Sequence, residues 1–191
     1  MLLLLQTASL GVFASLDLMV FYVFFELSLI PMYFLIGIWG GAGRIQATIK
    51  FFIYTLVGSL IMLVGLIYLG YDAGAAMGAG TTFTTDWRFL SSDIYTIGLV
   101  EQTYLFLAFA LAFCIKVPLF PFHTWLPYAH TEAPTAGSVV LAAIMLKMGT
   151  YGLIRVCLPI FPNAFMEFAP WMATLAVIGI IYGALVAMVQ K

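Results

Sequence analysis

Three ionisable side chains lie inside stretches of sequence that are otherwise apolar. Glu26 comes nine residues after Asp17 and thirteen before Trp39, Lys147 lies near the middle of a second apolar stretch, and Lys116 lies near the end of a third. An ionisable group at the centre of a membrane helix costs about 2.5–3.5 kcal/mol, and buried acids and bases that can face each other form proton or ion paths. We therefore predict that Glu26, Lys116 and Lys147 carry protons. A structural ion pair that joins two helices is the alternative.

Prolines follow Lys116 closely, at Pro118 and Pro121. Each proline removes a backbone N–H and clashes with the carbonyl four residues earlier. Broken backbone at membrane depth is tolerated only inside protein or beside a wet cavity, and such breaks build the ion sites of transporters. We therefore predict one discontinuous helix, broken at Pro118 and Pro121; the alternative is a helix end followed by a re-entrant loop. With Pro127 included, the carbonyls expected to lack a helical partner are those of Cys114, Val117 and His123.

The two histidines are predicted to have different roles. His123 lies within the break, and because histidine titrates near neutral pH it is a possible proton relay. A purely structural hydrogen bond from His123 to a freed carbonyl explains the residue equally well. His130 lies in a polar turn and is expected to be solvated. Metal-ligand spacing and the motifs for dinucleotides, phosphates and haem are all absent from the sequence, so we expect no cofactor, metal or redox centre in this chain.

The composition is that of an integral membrane protein. Of 191 residues, 64% are hydrophobic and 8% are charged, against about 45–50% and about 25% in soluble domains. A net charge of −1 provides no basic surface for nucleic acid. The two cysteines are too few for a disulfide framework. The expected surroundings are a lipid bilayer, with no nucleic-acid partner.

The apolar stretches predict an all-α bundle of five full spans plus a partial one, forming a single membrane domain over residues 1–191. The partial span is Met1–Ala14, and Pro31 is expected to kink the first full span beside Glu26. The predicted full spans are Leu18–Trp39, Ala47–Leu69, Ile97–Val117, Ala136–Leu158 and Phe168–Val189. The one long connection is Gly70–Thr96, whose charged residues are Asp72, Asp86, Arg88 and Asp93.

Positive charges divide unequally between the two ends of the spans. Counting alternate loops places Arg44, Lys50 and Lys191 at one end, and Arg88 and Arg155 at the other. Cytoplasmic or matrix loops carry the excess of Lys and Arg. We therefore predict that the end with Arg44 faces inside.

Two long motifs resemble the antiporter-like membrane subunits of respiratory complex I. The run from Lys116 to Lys147 reads KVPLFPFHTWLPYAHTEAPTAGSVVLAAIMLK, and the acidic helix around Glu26 reads FYVFFELSLIPM. Two shorter runs, GTYGLIR and FPNA, are closest to the chain 4 (M-type) members of that family. The resemblance covers nearly the whole chain.

The resemblance implies roles for the same residues. Family members carry a Glu and Lys pair at mid-membrane, here Glu26 and Lys116, and a central lysine that links half-channels, here Lys147. They have more spans and a second broken helix, so this chain is expected to be split or incomplete. The implied partners are neighbouring antiporter-like subunits in a bacterial or mitochondrial inner membrane. NADH, FMN, iron–sulfur clusters and quinone are expected in other subunits.

The hypothesis that follows is proton translocation coupled to quinone reduction. An ionised Glu26 stabilises a charged Lys116, and separating the two charges favours release of the proton toward Lys147. Two other hypotheses stay open on the sequence. One is a subunit of a monovalent cation/proton antiporter, which shares the same motifs. The other is a passive membrane scaffold, in which ion pairs serve assembly alone.

Overall fold

The computed structural model describes residues 1–78, 80–92 and 94–189 of the chain. Every regular element within those residues is helical, which confirms the predicted all-α class. The predicted single domain over residues 1–191 stays a prediction. The helices are α1 (Leu2–Ala14), α2 (Leu18–Leu27), α3 (Leu29–Trp39), α4 (Arg44–Met77), α5 (Trp87–Leu90), α6 (Leu99–Lys116), α7 (Leu126–Glu132), α8 (Thr135–Ile160) and α9 (Pro162–Val189).

Within the described residues, 5 helical segments are long and apolar enough to cross a membrane, as predicted. Helices α2 and α3 together form the first of these, and α4, α6, α8 and α9 form the others. The shorter α1 is the predicted partial span. Two turns within α8, at Leu141–Met145 and Leu153–Cys157, are π-helical.

The predicted long connection begins later than expected. Helix α4 continues through Gly70 and ends at Met77, because Gly78 adopts a φ of 68° that breaks the helix. The small residues near its end permit close packing: a Cβ added at Gly74 would lie 2.7 Å from the carbonyl oxygen of Thr82. Residues 70–77 therefore form the packed end of α4, and assigning them to the long connection was wrong.

The core lies where α2, α4 and α6 meet. Small residues let α4 approach α6 closely: a Cβ added at Gly58 would lie 3.4 Å from the Cα of Ala112, and one at Gly65 would lie 3.4 Å from the Cβ of Ala108. Small residues at the interface are the usual way for membrane helices to pack tightly. This contact places the last turn of α6, which carries Lys116, beside the middle of α4.

Polar contacts gather at the two opposite ends of the bundle. At one end the indole Nε1 of Trp87 donates to the carbonyl of Arg155 at 3.0 Å, and the Arg155 guanidinium lies 3.5 Å from the centre of the Trp87 ring. At the other end the Gly43 N–H donates to Glu132 Oε2 at 2.8 Å, next to Arg44. Arg44 and Arg155 thus lie at separate ends, as the loop count predicted. Lys191, which was also used in that count, and Asp93 of the long connection lie outside the described residues, and which end faces inside stays a prediction.

Candidate functional site

Glu26 lies one residue before the end of α2, where the predicted kink is found. The first span is interrupted at Ser28, between α2 and α3, and Pro31 occupies the first turn of α3. The Ser28 hydroxyl donates to the Phe25 carbonyl at 2.7 Å, which satisfies one backbone acceptor at the interruption. The interruption therefore places a serine hydroxyl beside the acid.

Lys116 is buried at the end of α6, with 2% of its surface exposed. Its ammonium lies 3.5 Å from Ser28 Oγ and 4.5 Å from the centre of the Phe25 ring. Glu26 Oε1 is buried and has no hydrogen-bond partner within the described residues. The structure therefore brings the predicted pair into one pocket, with the ammonium resting on Ser28 and Phe25 instead of on the carboxylate.

A third helix completes this pocket. Ser59 of α4 lies beside the Glu26 carboxyl group, while its hydroxyl donates to the Leu56 carbonyl at 3.0 Å. A carboxyl group, an ammonium and two hydroxyls thus meet within an otherwise apolar core. Such a set can accept, hold and release protons away from bulk water. Neither serine was predicted as a site residue from the sequence. For Ser28 the available signal was a hydroxyl two residues after an acid in the middle of a span.

The discontinuous helix is confirmed between α6 and α7, and turns provide hydrogen bonds to its freed carbonyls. The Cys114 carbonyl accepts from the Leu119 N–H at 2.8 Å, and the His123 carbonyl accepts from the Leu126 N–H at 3.0 Å. Both carbonyls lack the helical partner four residues later, as predicted, and the turns that connect α6 and α7 supply other donors.

Trp125 anchors the break and was missed in the sequence. Its side chain is fully buried, and its indole N–H donates to the Ile115 carbonyl at 2.9 Å, next to Lys116. A buried tryptophan needs a partner for its N–H, and a carbonyl at a helix end provides one. The signal was a tryptophan within a proline-rich segment. Trp125 fixes the start of α7 against the end of α6.

His123 lies half-buried in the break, at the edge of a cavity of about 420 Å³ between the break and α9. Its ring is 5.6 Å from that of Phe120 and 5.3 Å from that of Tyr182. The Nδ1 atom is buried and has no hydrogen-bond partner within the described residues. The alternative of a structural bond to a freed carbonyl is therefore not found at Nδ1, and the relay role stays a prediction.

Lys147 is exposed on α8 within the described residues, and its role on the proton path stays a prediction. The face of α8 that packs on α6 is the opposite one, where a Cβ at Gly149 would lie 2.8 Å from the Phe113 carbonyl oxygen. The Lys147 ammonium donates to the Ala142 carbonyl at 2.7 Å, within the π-helical turn.

His130 differs from its expectation. The residue lies within α7 and not in a loop, and it is half-buried. The reason is that α7 extends to Glu132, whose carboxylate is held by the glycine-rich turn that includes Gly43.

Over the described ranges the structure contains no cluster of three or more His, Cys, Asp or Glu side chains that could hold a metal ion.

Comparison with protein families identifies the architecture that holds these residues. The family model described as "NADH:quinone oxidoreductase/Mrp antiporter, TM" matches residues 15–191. The chain belongs to this family. This confirms the resemblance found in the two long motifs and the assignment to a multi-pass membrane protein.

Two relatives match over almost the whole chain. NADH-quinone oxidoreductase subunit M of Rickettsia prowazekii (strain Madrid E) is 48% identical over 189 residues, which is 99% of this chain and 37% of the relative. NADH-ubiquinone oxidoreductase chain 4 of Marchantia polymorpha is 48% identical over 181 residues, which is 94% of this chain and 34% of the relative. The chain thus spans about a third of the length of these relatives.

Solved structures show the same fold. A chain of respiratory complex I from Thermus thermophilus with bound NADH matches with a TM-score of 0.83 and 37% identity, covering 98% of this chain and 38% of that one. A chain of the Mrp complex from Dietzia sp. DQ12-45-1b matches with a TM-score of 0.68 and 27% identity, covering 85% of this chain and 17% of that one. The complex I chain is the more similar of the two.

Proposed function

We propose that this chain forms part of a proton-translocating membrane subunit of NADH:quinone oxidoreductase. The observation that carries the proposal is the burial of Lys116 at a helix break, in one pocket with Glu26. Burying a charge costs several kcal/mol unless it is well paired. A passive bundle gains nothing from an ammonium that rests on a hydroxyl and a ring while a carboxyl oxygen lies unpaired nearby.

The mechanism moves a proton by moving charge within the pocket. When the Lys116 ammonium approaches an ionised Glu26, the attraction of opposite charges holds the proton on the lysine. When the two separate, the ammonium loses this attraction in a medium of low dielectric constant, which favours release of the proton. Repeated approach and separation would bind a proton from one side and release it toward the other.

The proposed acceptor is Lys147, since its helix lies directly against the end of α6. Gly149, two residues after Lys147, lets the α8 backbone approach Val117, one residue after Lys116. His123, beside its cavity in the break, is the proposed relay on the path. An amine exposed at mid-span must face protein or water, so we propose that further helices of the subunit cover Lys147.

The surroundings of the chain follow the same proposal. Neighbouring antiporter-like subunits and the lipid of a bacterial or mitochondrial inner membrane would cover the apolar outer surface. NADH, FMN, iron–sulfur clusters and quinone would act in other subunits, and quinone reduction there would drive the charge movement here. The alternative, a subunit of a cation/proton antiporter, is supported by the fold of the Mrp complex chain, at lower identity and TM-score.

The experiment that tests the proposal is Glu26→Gln in the whole complex. We expect proton pumping and coupled quinone reduction to fall about a hundredfold, the scale of a lost acid–base group, while the complex still assembles. Glu167→Gln is the matched control, because Glu167 is exposed at the start of α9. Normal pumping and turnover in Glu26→Gln would remove Glu26 from the path. Lower abundance with normal turnover per complex would instead support a scaffold.

A further inference from the structure

We propose that Phe25 and Ser28 form a second binding site for the Lys116 ammonium, which competes with Glu26 and so sets when the two charges separate. Both are positioning residues that act through Lys116. The inference rests on the proposed function, because it explains where the Lys116 ammonium binds when it is separated from Glu26. It adds two residues to which the sequence analysis assigned no role.

The contacts are those of a desolvated cation site. Phe25, Ser28 and Lys116 are 2%, 0% and 2% exposed. The ammonium lies 4.5 Å from the centre of the Phe25 ring and 3.5 Å from Ser28 Oγ. A cation within about 6 Å of an aromatic ring face is attracted by the ring's quadrupole, and the attraction grows when water is excluded.

The ring and the hydroxyl are both fixed before the ammonium arrives. Phe25 stacks on Phe21 at 5.7 Å and meets Phe113 edge-on at 5.9 Å, so its orientation is determined by packing. The Ser28 hydroxyl donates its hydrogen to the Phe25 carbonyl, which leaves its oxygen free to accept from Lys116. Because the site is preorganised, the ammonium binds there without reordering the core.

Phe25 and Ser28 share a helix face, whereas Glu26 does not lie on it. Residues three apart on a helix are neighbours, while adjacent residues point in different directions. Lys116 can therefore exchange between the two sites by turning its own flexible side chain, with no movement of α2 or α6. In the resting position it leaves Glu26 Oε1 without a partner and so available to a proton.

The test uses fluorinated phenylalanines at position 25 of the complete complex, because each added fluorine weakens the ring's attraction for a cation. We expect the ratio of resting to paired Lys116 to fall about tenfold over the series from one to three fluorines, which corresponds to about 1.4 kcal/mol. Pumping should fall stepwise with the number of fluorines at constant assembly. The same series at Phe51 is the control, since Phe51 is equally buried and contacts the Trp125 ring.

Two further variants address the hydroxyl. Ser28→Ala should lower pumping, and Ser28→Thr, which keeps the acceptor oxygen, should restore most of it. In a structure of the trifluorinated complex, the Lys116 ammonium should lie within about 4 Å of a Glu26 oxygen. Equal effects of fluorine at positions 25 and 51, or an ammonium still above the ring, would overturn the inference. Normal pumping in Glu26→Gln would overturn the proposed function itself, so the two failures are distinguishable.

Discussion

Lys116 and Lys147, the two lysines of the proposed proton path, lie in contrasting surroundings. Lys116 is buried at the end of α6, and its ammonium contacts Phe25 of α2 and Ser28 at the interruption of the first span. Lys147 is exposed on α8, and its ammonium is satisfied by a carbonyl of its own helix. Burial thus separates the two lysines: the described residues cover Lys116 and leave Lys147 uncovered.

The backbone explains the difference in both cases. Prolines end α6 directly after Lys116, and Trp125 folds back to close that end. The π-helical turn before Lys147 presents the Ala142 carbonyl to the lysine instead. The proline break after α6 encloses the charge of Lys116 within the protein. The π-helical turn of α8 provides a polar contact for the charge of Lys147 on the surface.

Substitution of Lys147 should have the largest effect and tests whether the exposed lysine carries protons at all. Lys147→Ala should abolish transfer, about a hundredfold or more, because a methyl group carries no proton. Lys147→Arg should also impair pumping, since arginine does not release its proton in proteins. The measurement is pumping at matched assembly.

Lys50→Ala is the control for the loss of a positive charge, because Lys50 is half-buried over the Tyr128 ring, 4.0 Å from its centre. Pumping in this variant should be close to normal. Near-normal pumping in Lys147→Arg would show that Lys147 provides charge alone, and the relay role would be lost.

Pro121→Ala tests whether the surroundings of Lys116 depend on the helix break. An alanine restores an N–H and lets part of the break become helical, which should disturb the cavity near His123 and the position of Lys116. We expect activity to fall about fivefold, corresponding to about 1 kcal/mol, with a smaller loss of assembly. The measurement is the quinone reductase rate per assembled complex.

Pro127→Ala provides the matched control. Pro127 lies in the first turn of α7, where proline is well accommodated and its missing N–H has no helical partner to lose. Its replacement should change the rate little. Equal effects of the two substitutions would mean that the break is not specific to the function.

The fold could be predicted from the sequence because apolar length alone determines which segments span a membrane. The first span was predicted with its observed bounds, and the break after Lys116 followed from proline chemistry. The end of α4 could not be predicted, because Gly70 and Gly74 are helical through packing on Phe83 and Thr82, a contact that sequence periodicity does not contain.

The site was only partly predictable. Charged residues are visible in an apolar sequence, so Glu26 and Lys116 were found. The groups that surround them, Ser28, Phe25 and Ser59, are ordinary membrane-helix residues, and only the three-dimensional contact gives them a role. The face of α8 that packs on α6 could not be predicted, because it is determined by the close approach of Gly149 and Gly152 to α6.

Tyr95→Phe should have the smallest effect and separates stability from transport. Tyr95 lies outside the spans, is 7% exposed and donates to Asp72 Oδ2 at 2.6 Å. Burial, followed by the hydrogen bond to Asp72, raises the pKa of Tyr95 above its ordinary value of 10. The folded state therefore favours the protonated phenol, so this stabilisation is complete below pH 10 and is lost as the pH rises further.

We expect Tyr95→Phe to cost about 1 kcal/mol at neutral pH and to remove the alkaline loss of stability, with pumping unchanged. The measurement is the thermal midpoint of the assembled complex at several pH values. Tyr104→Phe is the control, since that side chain is 71% exposed. A matching loss of pumping in Tyr95→Phe would mean that transport depends on general stability, and the contrast between the lysines would lose its meaning.

The most direct test of the central claim is the number of protons pumped per electron pair in Lys116→Met. Methionine nearly matches lysine in shape, and replacing a buried charge by an apolar side chain is often neutral or stabilising. We expect normal assembly, with a proton ratio that falls below that of the wild-type complex. A normal ratio in well-assembled Lys116→Met would contradict the claim that the buried lysine carries protons.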